Sequence, residues 1–359
     1  MDYTLDFEDL DKHSFPLVGG KNAGLGEMMR AGISVPPGFA VTAEGYLKFI
    51  DEAEIRPRIV KILSHLEPGD ITSIEAASTA IRELIMTTSI SGEILESIER
   101  GYARLNRKCK ADAVPVAVRS SATAEDLPTA SFAGQHETYL WVNAPQRVVE
   151  SIQRCWASLF TPRAMDYRIK RRFVHDKVLM SVGVQKMVNA RAAGVLFTLN
   201  PTNGDPSKVV IEGNWGLGET VVSGSVNPDT FVVDKVMKEI DEKKVSAKHL
   251  ECLYDPKRGE VVEVDLPEEM RLQCCLNEEE VEALFHLAKK IESHYGRPMD
   301  VEWAIDADSV FPENVFVIQA RPETVWSQRK IEPVLERKDG YQLFFGFVER
   351  GMNGIKIPY

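Results

Sequence analysis

The sequence predicts an α+β protein of two lobes followed by a C-terminal tail. Its first hundred residues carry apolar side chains at helical spacing, whereas its second half contains short β-branched runs broken by Gly, Pro and Asn. A length of 359 residues suits two or three domains or lobes. After Trp326 the chain changes character and ends in an apolar aromatic cluster, so we treat that part as a separate tail.

The first half begins with a helix and reaches one distinctive strand. Residues 21–32 predict that helix, with Gly32 as its end, and SVPPGFAVT predicts an extended segment after it. Residues 43–107 predict three or four amphipathic helices. Residues 114–140 begin as an alternating valine strand and continue as a loop of small and hydroxylated residues.

Strands dominate the second half, with one long helix among them. The helix is predicted from its N-cap Asn277, through an acidic first turn, to its stop at Gly296. Two strands, MDVEWAID and VFVIQARPET, are expected to close the module. The other predicted strands are LMSVGVQKMV, AAGVLFTLNP, KVVIEGNWG and DTFVVDK.

Composition excludes several classes of partner. The net charge is −11, which provides no broad positive field for nucleic acid or an anionic membrane. The chain contains no apolar run long enough to span a bilayer, and its acidic start lacks the features of a signal peptide. Five cysteines without a CxxC pair favour a reducing compartment, so we expect a cytoplasmic protein.

Two stretches offer groups for an anionic ligand. In LVGGKNAGLGEM, two glycines precede Lys21 at a helix start, which suits a phosphate, although a helix cap with a surface lysine is the favoured interpretation of this segment by itself. In RSSATAED…SFAGQHETY, Arg119 could hold a phosphate in bidentate fashion and Gly134 would allow close backbone approach. The alternative is an ordinary turn in which Arg119 pairs with Glu125 or Asp126.

The last two strands carry the most informative polar set. Strand alternation places Asp300 and Glu302 on one face, and likewise Gln319 and Arg321. If the strands pair, these side chains lie together and suit Mg²⁺ with the phosphates it bridges. A salt bridge between Glu302 and Arg321 would be the structural alternative.

The remaining motifs carry less information. NWGLGETVV is a glycine-rich turn at a strand end rather than a dinucleotide fingerprint, although Glu219 could face a site. None of the seven histidines lies in a metal-binding or triad pattern, and no covalent nucleophile signature is present.

Four stretches together resemble the nucleotide-binding domain of the phosphoenolpyruvate synthase and pyruvate phosphate dikinase family. They are GGKNAGLGEM…VPPGFAVT, AVRSSATAEDLPTASFAGQ, NWGLGETVVSGSVNPD and HYGRPMDVEWA…VIQARPET. The resemblance implies an ATP-grasp fold of the pyruvate phosphate dikinase N-terminal type, in which two lobes enclose Mg-ATP. It implies a first lobe at 1–188, a second lobe with the metal and phosphate ligands at 189–325, and a tail at 326–359 that could dock a partner.

The resemblance also implies roles for individual residues. Lys21, Arg119 and Arg321 would contact phosphates and serve catalysis, and Gly134 and Thr138 would belong to the loop that covers the phosphates. Glu302 and Gln319 would bind Mg²⁺ with Asp300 in support. The hinge beside the adenine would consist of Gln185, Lys186, Met187 and Val188.

The family's phosphoryl-accepting histidine motif, of TCHAA type, does not occur in these residues. The resemblance therefore implies an ATP-binding and activating subunit of a split, AMP-forming phosphotransferase, with a swivelling phosphohistidine domain on a partner subunit. In this layout the chain is similar to the β subunit of phenylphosphate synthase, which acts on phenol in phenol degradation. A phosphoenolpyruvate synthase fragment acting on pyruvate and a non-catalytic ATP sensor are the alternatives.

Overall fold

The computed structural model describes residues 2–66, 70–123, 137–171 and 178–326, together with short strands at 126–127 and 130–131. Residues 1–323 form one compact unit and residues 324–359 a second one. Most of the tail, and with it the predicted docking role of residues 326–359, lies outside the described residues.

Helices cover much of the first half of the chain, as its apolar spacing predicts. In α5, Ile94, Ile98 and Leu105 are buried on one face. α10 begins at its predicted cap, where the Asn277 side chain accepts a hydrogen bond from Glu280 N, and ends at Gly296 in the left-handed conformation. The helices are α1 Phe15–Arg30, α2 Ala43–Glu52, α3 Arg56–Leu63, α4 Ile71–Thr87, α5 Gly92–Cys109, α6 Pro145–Ser158, α7 Pro162–Lys170, α8 Glu219–Val222, α9 Glu268–Arg271 and α10 Glu278–Tyr295.

The strands form two main antiparallel sheets. The first sheet has the order β1-β2-β7-β3-β6, and the second has the order β11-β10-β9-β8-β14-β15. Two hairpins, β4–β5 and β12–β13, stand apart from both sheets. The strands are β1 Thr4–Asp6, β2 Gly38–Val41, β3 Val116–Ala122, β4 Asp126–Leu127, β5 Ala130–Ser131, β6 Thr138–Val142, β7 Met180–Lys186, β8 Ala190–Phe197, β9 Lys208–Trp215, β10 Asp229–Asp234, β11 Ile240–Lys244, β12 Leu250–Asp255, β13 Glu260–Asp265, β14 Met299–Asp306 and β15 Val315–Pro322.

Each main sheet has its own hydrophobic core. The first sheet packs with helices α2 to α7. The second sheet packs with α10 and also with α1, so residues near the start of the chain share the core of the second sheet. The α+β class is confirmed, whereas the lobe boundaries at 1–188 and 189–325 remain a prediction.

Two simpler expectations concern cysteines and membranes. All five cysteines are free thiols. Within the part of the chain that the structure describes, no helix combines the length and apolarity needed to cross a bilayer.

Candidate functional site

A cavity of about 400 Å³ lies where the two sheets face each other. Its walls come from β3, β6 and β7 on one side and from β8, β14 and β15 on the other. Four cationic side chains border it: Lys21, Arg119, Lys186 and Arg321. The protein is acidic overall, so an anionic ligand has to be held by a few local cations rather than by the overall charge. These four side chains form such a local cluster of positive charge.

Arg119 lies on β3, a strand of the first sheet that has a neighbour on each side. β3 pairs with β7 and β6, and Arg119 lies opposite Gly183 on one side and Thr138 on the other. Its Nη1 atom is 3.7 Å from Glu302 Oε2 in the second sheet. Its Nε atom is buried and has no hydrogen-bond partner among the described residues.

Lys21 reaches the same region because α1 is broken at Gly19. Gly19 has φ of 71°, and a Cβ built there would lie 2.4 Å from Ser121 Oγ, so only glycine permits this approach of α1 to β3. Lys21 lies just after this break. Lys21 Nζ donates to Ser120 O at 3.4 Å. A lysine and a helix N-terminus therefore meet beside Arg119.

Asn22 explains why this segment is not a nucleotide P-loop. Its side chain is buried and donates to Val18 O and to Ser181 Oγ, each at 3.0 Å. The residue after the lysine thus ties α1 to β7 and does not face a metal ion.

The segment predicted to form the hinge runs from the first sheet to the second. Gln185 is buried in β7, and its Nε2 donates to Pro36 O at 3.4 Å. The backbone then continues through Met187, whose N–H donates to Pro115 O at 2.8 Å, and enters β8 at Ala190. Met187 and Val188 line the cavity together with Gln185.

The predicted pairing of the last two strands is confirmed. β14 and β15 are antiparallel, and Glu302 lies opposite Gln319 while Asp300 lies opposite Arg321. The ion pair in this set differs from the expected one: Arg321 Nε is 3.4 Å from Asp300 Oδ2, and Glu302 pairs with Arg119 instead. The cause is the register, which places Asp300 rather than Glu302 directly across from Arg321.

Asp300 supports this set from a more buried position. It is not among the residues that line the cavity. Burial raises the pKa of its carboxyl group, while the nearby Arg321 acts to lower that pKa and Glu323 to raise it. Its Oδ1 atom is buried without a hydrogen-bond partner among the described residues.

These oxygen donors fit a magnesium ion whose other ligands are phosphate oxygens. Carboxylate and amide oxygens, as in Glu302 and Gln319, are ligands that Mg²⁺ accepts. Among the described residues no group of three His, Cys, Asp or Glu side chains could hold a metal alone. Mg²⁺ is usually bound by one or two carboxylates plus substrate phosphates rather than by a closed protein cage, so the set is of the expected kind.

The other end of the cavity is apolar. Val188, Ala193 and Ala304 form a small buried cluster with the partly buried Ile318 beside it. Ala304 of β14 pairs with Ala193 of β8, and these small apolar side chains leave room for an apolar ligand group such as a base.

Sequence analysis did not identify this apolar wall, because alanines and valines within strands carry no chemical signature. It gave only a weak indication of Glu219, which the structure places at the cavity. Glu219 begins α8, directly after a glycine turn, and it lines the cavity with Leu217 and Gly218.

Nearly all the residues carried over from the resemblance meet at this cavity. Those that line it are Lys21, Arg119, Thr138, Gln185, Lys186, Met187, Val188, Glu302, Gln319 and Arg321. Gly134, and the side chains of Glu125 and Asp126 as alternative partners of Arg119, lie outside the described residues.

The cavity between the two sheets combines a cationic zone, paired oxygen donors and an apolar surface, which are the features expected of a nucleotide-binding protein. The particular family follows from comparison with known proteins. The chain belongs to the family of the pyruvate phosphate dikinase AMP/ATP-binding domain, whose model matches residues 15–341. The architecture of helices around two antiparallel sheets agrees with the ATP-grasp fold that the sequence resemblance implies.

Curated relatives match over most of this chain. A probable phosphoenolpyruvate synthase of Staphylothermus marinus is 48% identical over 352 residues, which covers 92% of this chain and 42% of that protein. A phosphoenolpyruvate synthase of Aeropyrum pernix is 45% identical over 349 residues, which covers 90% of this chain and 43% of that protein. The chain thus spans less than half the length of these relatives.

A solved structure offers a more remote comparison. D-alanyl-alanine synthetase A from Vibrio cholerae covers 78% of this chain and 64% of its own length at 9% identity, with a TM-score of 0.28. Similarity of this size is too low to establish a shared fold.

Proposed function

We propose that this chain binds and activates ATP for a dikinase-type phosphotransferase. In the proposed reaction ATP is cleaved to AMP and phosphate, and the β-phosphoryl group passes to a histidine outside these 359 residues. Membership of the AMP/ATP-binding domain family supports the nucleotide part of this proposal. The observation that carries it furthest is the meeting of Arg119, Lys21 and Arg321 with the Glu302–Gln319 pair in one cavity.

Each part of the cavity has a distinct proposed role. Arg119, Lys21 and Arg321 hold phosphates and stabilise the charge that develops on the transferring group. Val188, together with Ala193 of β8 and Ala304 of β14, holds the base, and residues 185–188 belong to the connection between the two walls. Glu302 and Gln319, supported by Asp300, would hold Mg²⁺, and the ion would offset the negative charge of the phosphates.

The proposed reaction consumes one water molecule for each ATP. Water accepts the terminal phosphoryl group of ATP as inorganic phosphate, and the imidazole of the acceptor histidine takes the β-phosphoryl group while AMP leaves. None of the seven histidines of this chain lies in a TCHAA-type motif. We therefore place the acceptor histidine on a swivelling domain of a partner subunit or of another segment.

Two small molecules are candidates for the final phosphoryl acceptor. Relatives named phosphoenolpyruvate synthase match nine-tenths of this chain, which favours a reaction of that class, with pyruvate as acceptor. Phenol, as in phenylphosphate synthase, remains a second candidate from the sequence resemblance. A cytoplasmic location likewise remains a prediction.

Transfer of label from ATP tests the proposal. ATP labelled at the β-phosphate is incubated with this chain, with the histidine-bearing segment of the enzyme, and with both. We expect a phosphohistidine only in the mixture, together with AMP and phosphate, and no stable label on this chain.

The second stage of the experiment identifies the acceptor. Release of the label to pyruvate would assign the phosphoenolpyruvate synthase class, and release to phenol would assign phenylphosphate synthesis. Nucleotide binding without any transfer in the mixture would contradict the proposal and favour an ATP sensor.

A further inference from the structure

The hairpin β12–β13 lies outside both sheets but touches the walls of the nucleotide cavity at two places. One contact is a stack between Trp141 of β6 and Tyr254 of β12, with ring centroids 4.7 Å apart and an interplanar angle of 11°. The other is the attachment of β12 to the glycine turn that lines the cavity. These two contacts lie at opposite walls.

The backbone of Trp141 is arranged to make the first contact. Between Val118↔Tyr139 and Val116↔Val142 the pairing of β3 with β6 contains one extra residue on β6, which is a β-bulge. Trp141 lies in this bulge with φ of 56°, a left-handed conformation that is strained for any residue with a Cβ. Bulges redirect side chains, and retained strain of this kind often marks a functional position.

The hairpin is fixed to the second sheet. Leu217 N donates to Cys252 O at 2.7 Å, and Asn214 Nδ2 donates to Leu250 O at 2.9 Å. Gly216 has φ of 73°, and a Cβ there would lie 2.3 Å from Cys252 O, so the turn and the hairpin are in direct backbone contact. A displacement of β12 would therefore displace Leu217 and the adjoining cavity wall.

On the side of the first sheet, the hairpin β12–β13 contacts β6, which is also a strand that lines the cavity. Thr138 and Leu140 of β6 border the nucleotide cavity, and Trp141 follows directly after them. Val261 of β13 and Val142 of β6 also line a smaller cavity of about 330 Å³, so β13 approaches β6 at a second place.

We propose that Trp141 and Tyr254 are positioning residues for the nucleotide site: their stack holds the wall that carries Thr138 and Leu140 at a fixed distance from the wall that carries Leu217 and Glu219. A cavity whose walls are held in place before binding loses less conformational entropy when the ligand binds, which increases affinity. This inference rests on the proposed function, since it concerns affinity for ATP.

A double-mutant cycle tests the stack in the full chain. Trp141→Ala, Tyr254→Ala and the double variant are titrated with Mg-ATP by calorimetry. We expect each single variant to bind about 2- to 12-fold more weakly, the range for an aromatic pair, and the double variant no more weakly than the weaker single variant. Tyr254→Phe keeps the ring and should bind like wild type.

Thermal unfolding of the same variants separates positioning from simple structural support. Wild-type ATP affinity in both alanine variants, with a lower melting temperature, would overturn this inference and leave the proposed function intact. Failure of the wild-type chain to bind ATP would overturn both. If Tyr254→Ala does not fold, Tyr254→Leu removes the ring with less loss of apolar volume, and the same reduction in affinity is expected.

Discussion

Arg119 Nη1 lies 3.7 Å from Glu302 Oε2, and this contact connects the central strand region of the first sheet to a strand of the second sheet across the nucleotide cavity. Both side chains line the cavity. The carboxylate therefore faces the cation at the place where we propose that phosphate and metal bind. A bound phosphate would compete with Glu302 for Arg119, and a bound Mg²⁺ would compete with Arg119 for Glu302.

Replacing Arg119 should weaken nucleotide binding. Arg119→Ala removes a charge-assisted contact to phosphate, so we expect ATP affinity to fall about 10- to 100-fold, and Arg119→Lys should restore part of it. Calorimetry with Mg-ATP measures both. Arg100→Ala, which removes an exposed ion pair with Glu96, serves as the control and should bind like wild type. Equal affinity in Arg119→Ala and Arg100→Ala would remove Arg119 from the site.

Glu302→Gln should separate catalysis from binding. The variant keeps the size of the side chain but replaces a carboxylate with a neutral amide, which is a weaker ligand for Mg²⁺. We expect phosphoryl transfer in the complete enzyme to fall by at least tenfold while ATP affinity changes less, and we expect higher Mg²⁺ to recover part of the activity. Activity that is unchanged at limiting Mg²⁺ would show that Glu302 acts only as the ion-pair partner of Arg119.

Gly19→Ala should destabilise the protein at the base of the site. The new Cβ would collide with Ser121 Oγ and backbone, and φ of 71° is unfavourable for alanine, so we expect a loss of about 1–3 kcal/mol in the free energy of unfolding. Gly92→Ala is the control, because nothing lies within 4 Å of a Cβ built at Gly92. Urea unfolding compares the two, and a neutral Gly19→Ala variant would contradict the close packing of α1 on β3.

The fold class could be predicted from the sequence, whereas the geometry of the candidate site could be predicted only in part, and particular residues show why. Asp300, Glu302, Gln319 and Arg321 follow strand alternation, so their common face could be predicted from local spacing alone. Which carboxylate pairs with Arg321 depends on cross-strand register, and the position of Arg119 beside Glu302 depends on how two separate sheets meet. Neither is encoded in local periodicity.

The strands that sequence analysis missed also have physical explanations. β11, Ile240–Lys244, is exposed at every position, so it shows no alternation between apolar and polar residues. The hairpin β12–β13 buries few side chains on either face. Its place in the fold is defined by its contacts, above all the stack of Tyr254 on Trp141. Strands of this kind are specified by their partners in three dimensions rather than by a hydrophobic pattern.

The buried ion pair at the base of that hairpin gives a further prediction. Lys248 Nζ lies 2.6 Å from Asp229 Oδ1, both side chains are fully buried, and Asp229 also accepts from Ser246 N and Cys275 N. Lys248→Met would leave a buried carboxylate without its cation, so we expect the free energy of unfolding to fall by about 3–5 kcal/mol. Lys208→Met, which removes a more exposed lysine, should cost much less. Similar unfolding midpoints for the two variants would argue against this view of the pair.

The last prediction separates the backbone of Trp141 from its side chain. Trp141→Ala and Trp141→Gly both remove the stack with Tyr254, but only glycine relieves the left-handed backbone at φ of 56°. We therefore expect the glycine variant to be more stable than the alanine variant by about 1 kcal/mol, while the two bind ATP equally weakly. Glu260, an exposed strand residue, provides the matched comparison: there the glycine variant should be the less stable one, because glycine weakens a regular strand. Urea unfolding measures all four variants. A glycine variant at position 141 that is less stable than its alanine counterpart would mean that the bulge does not strain Trp141.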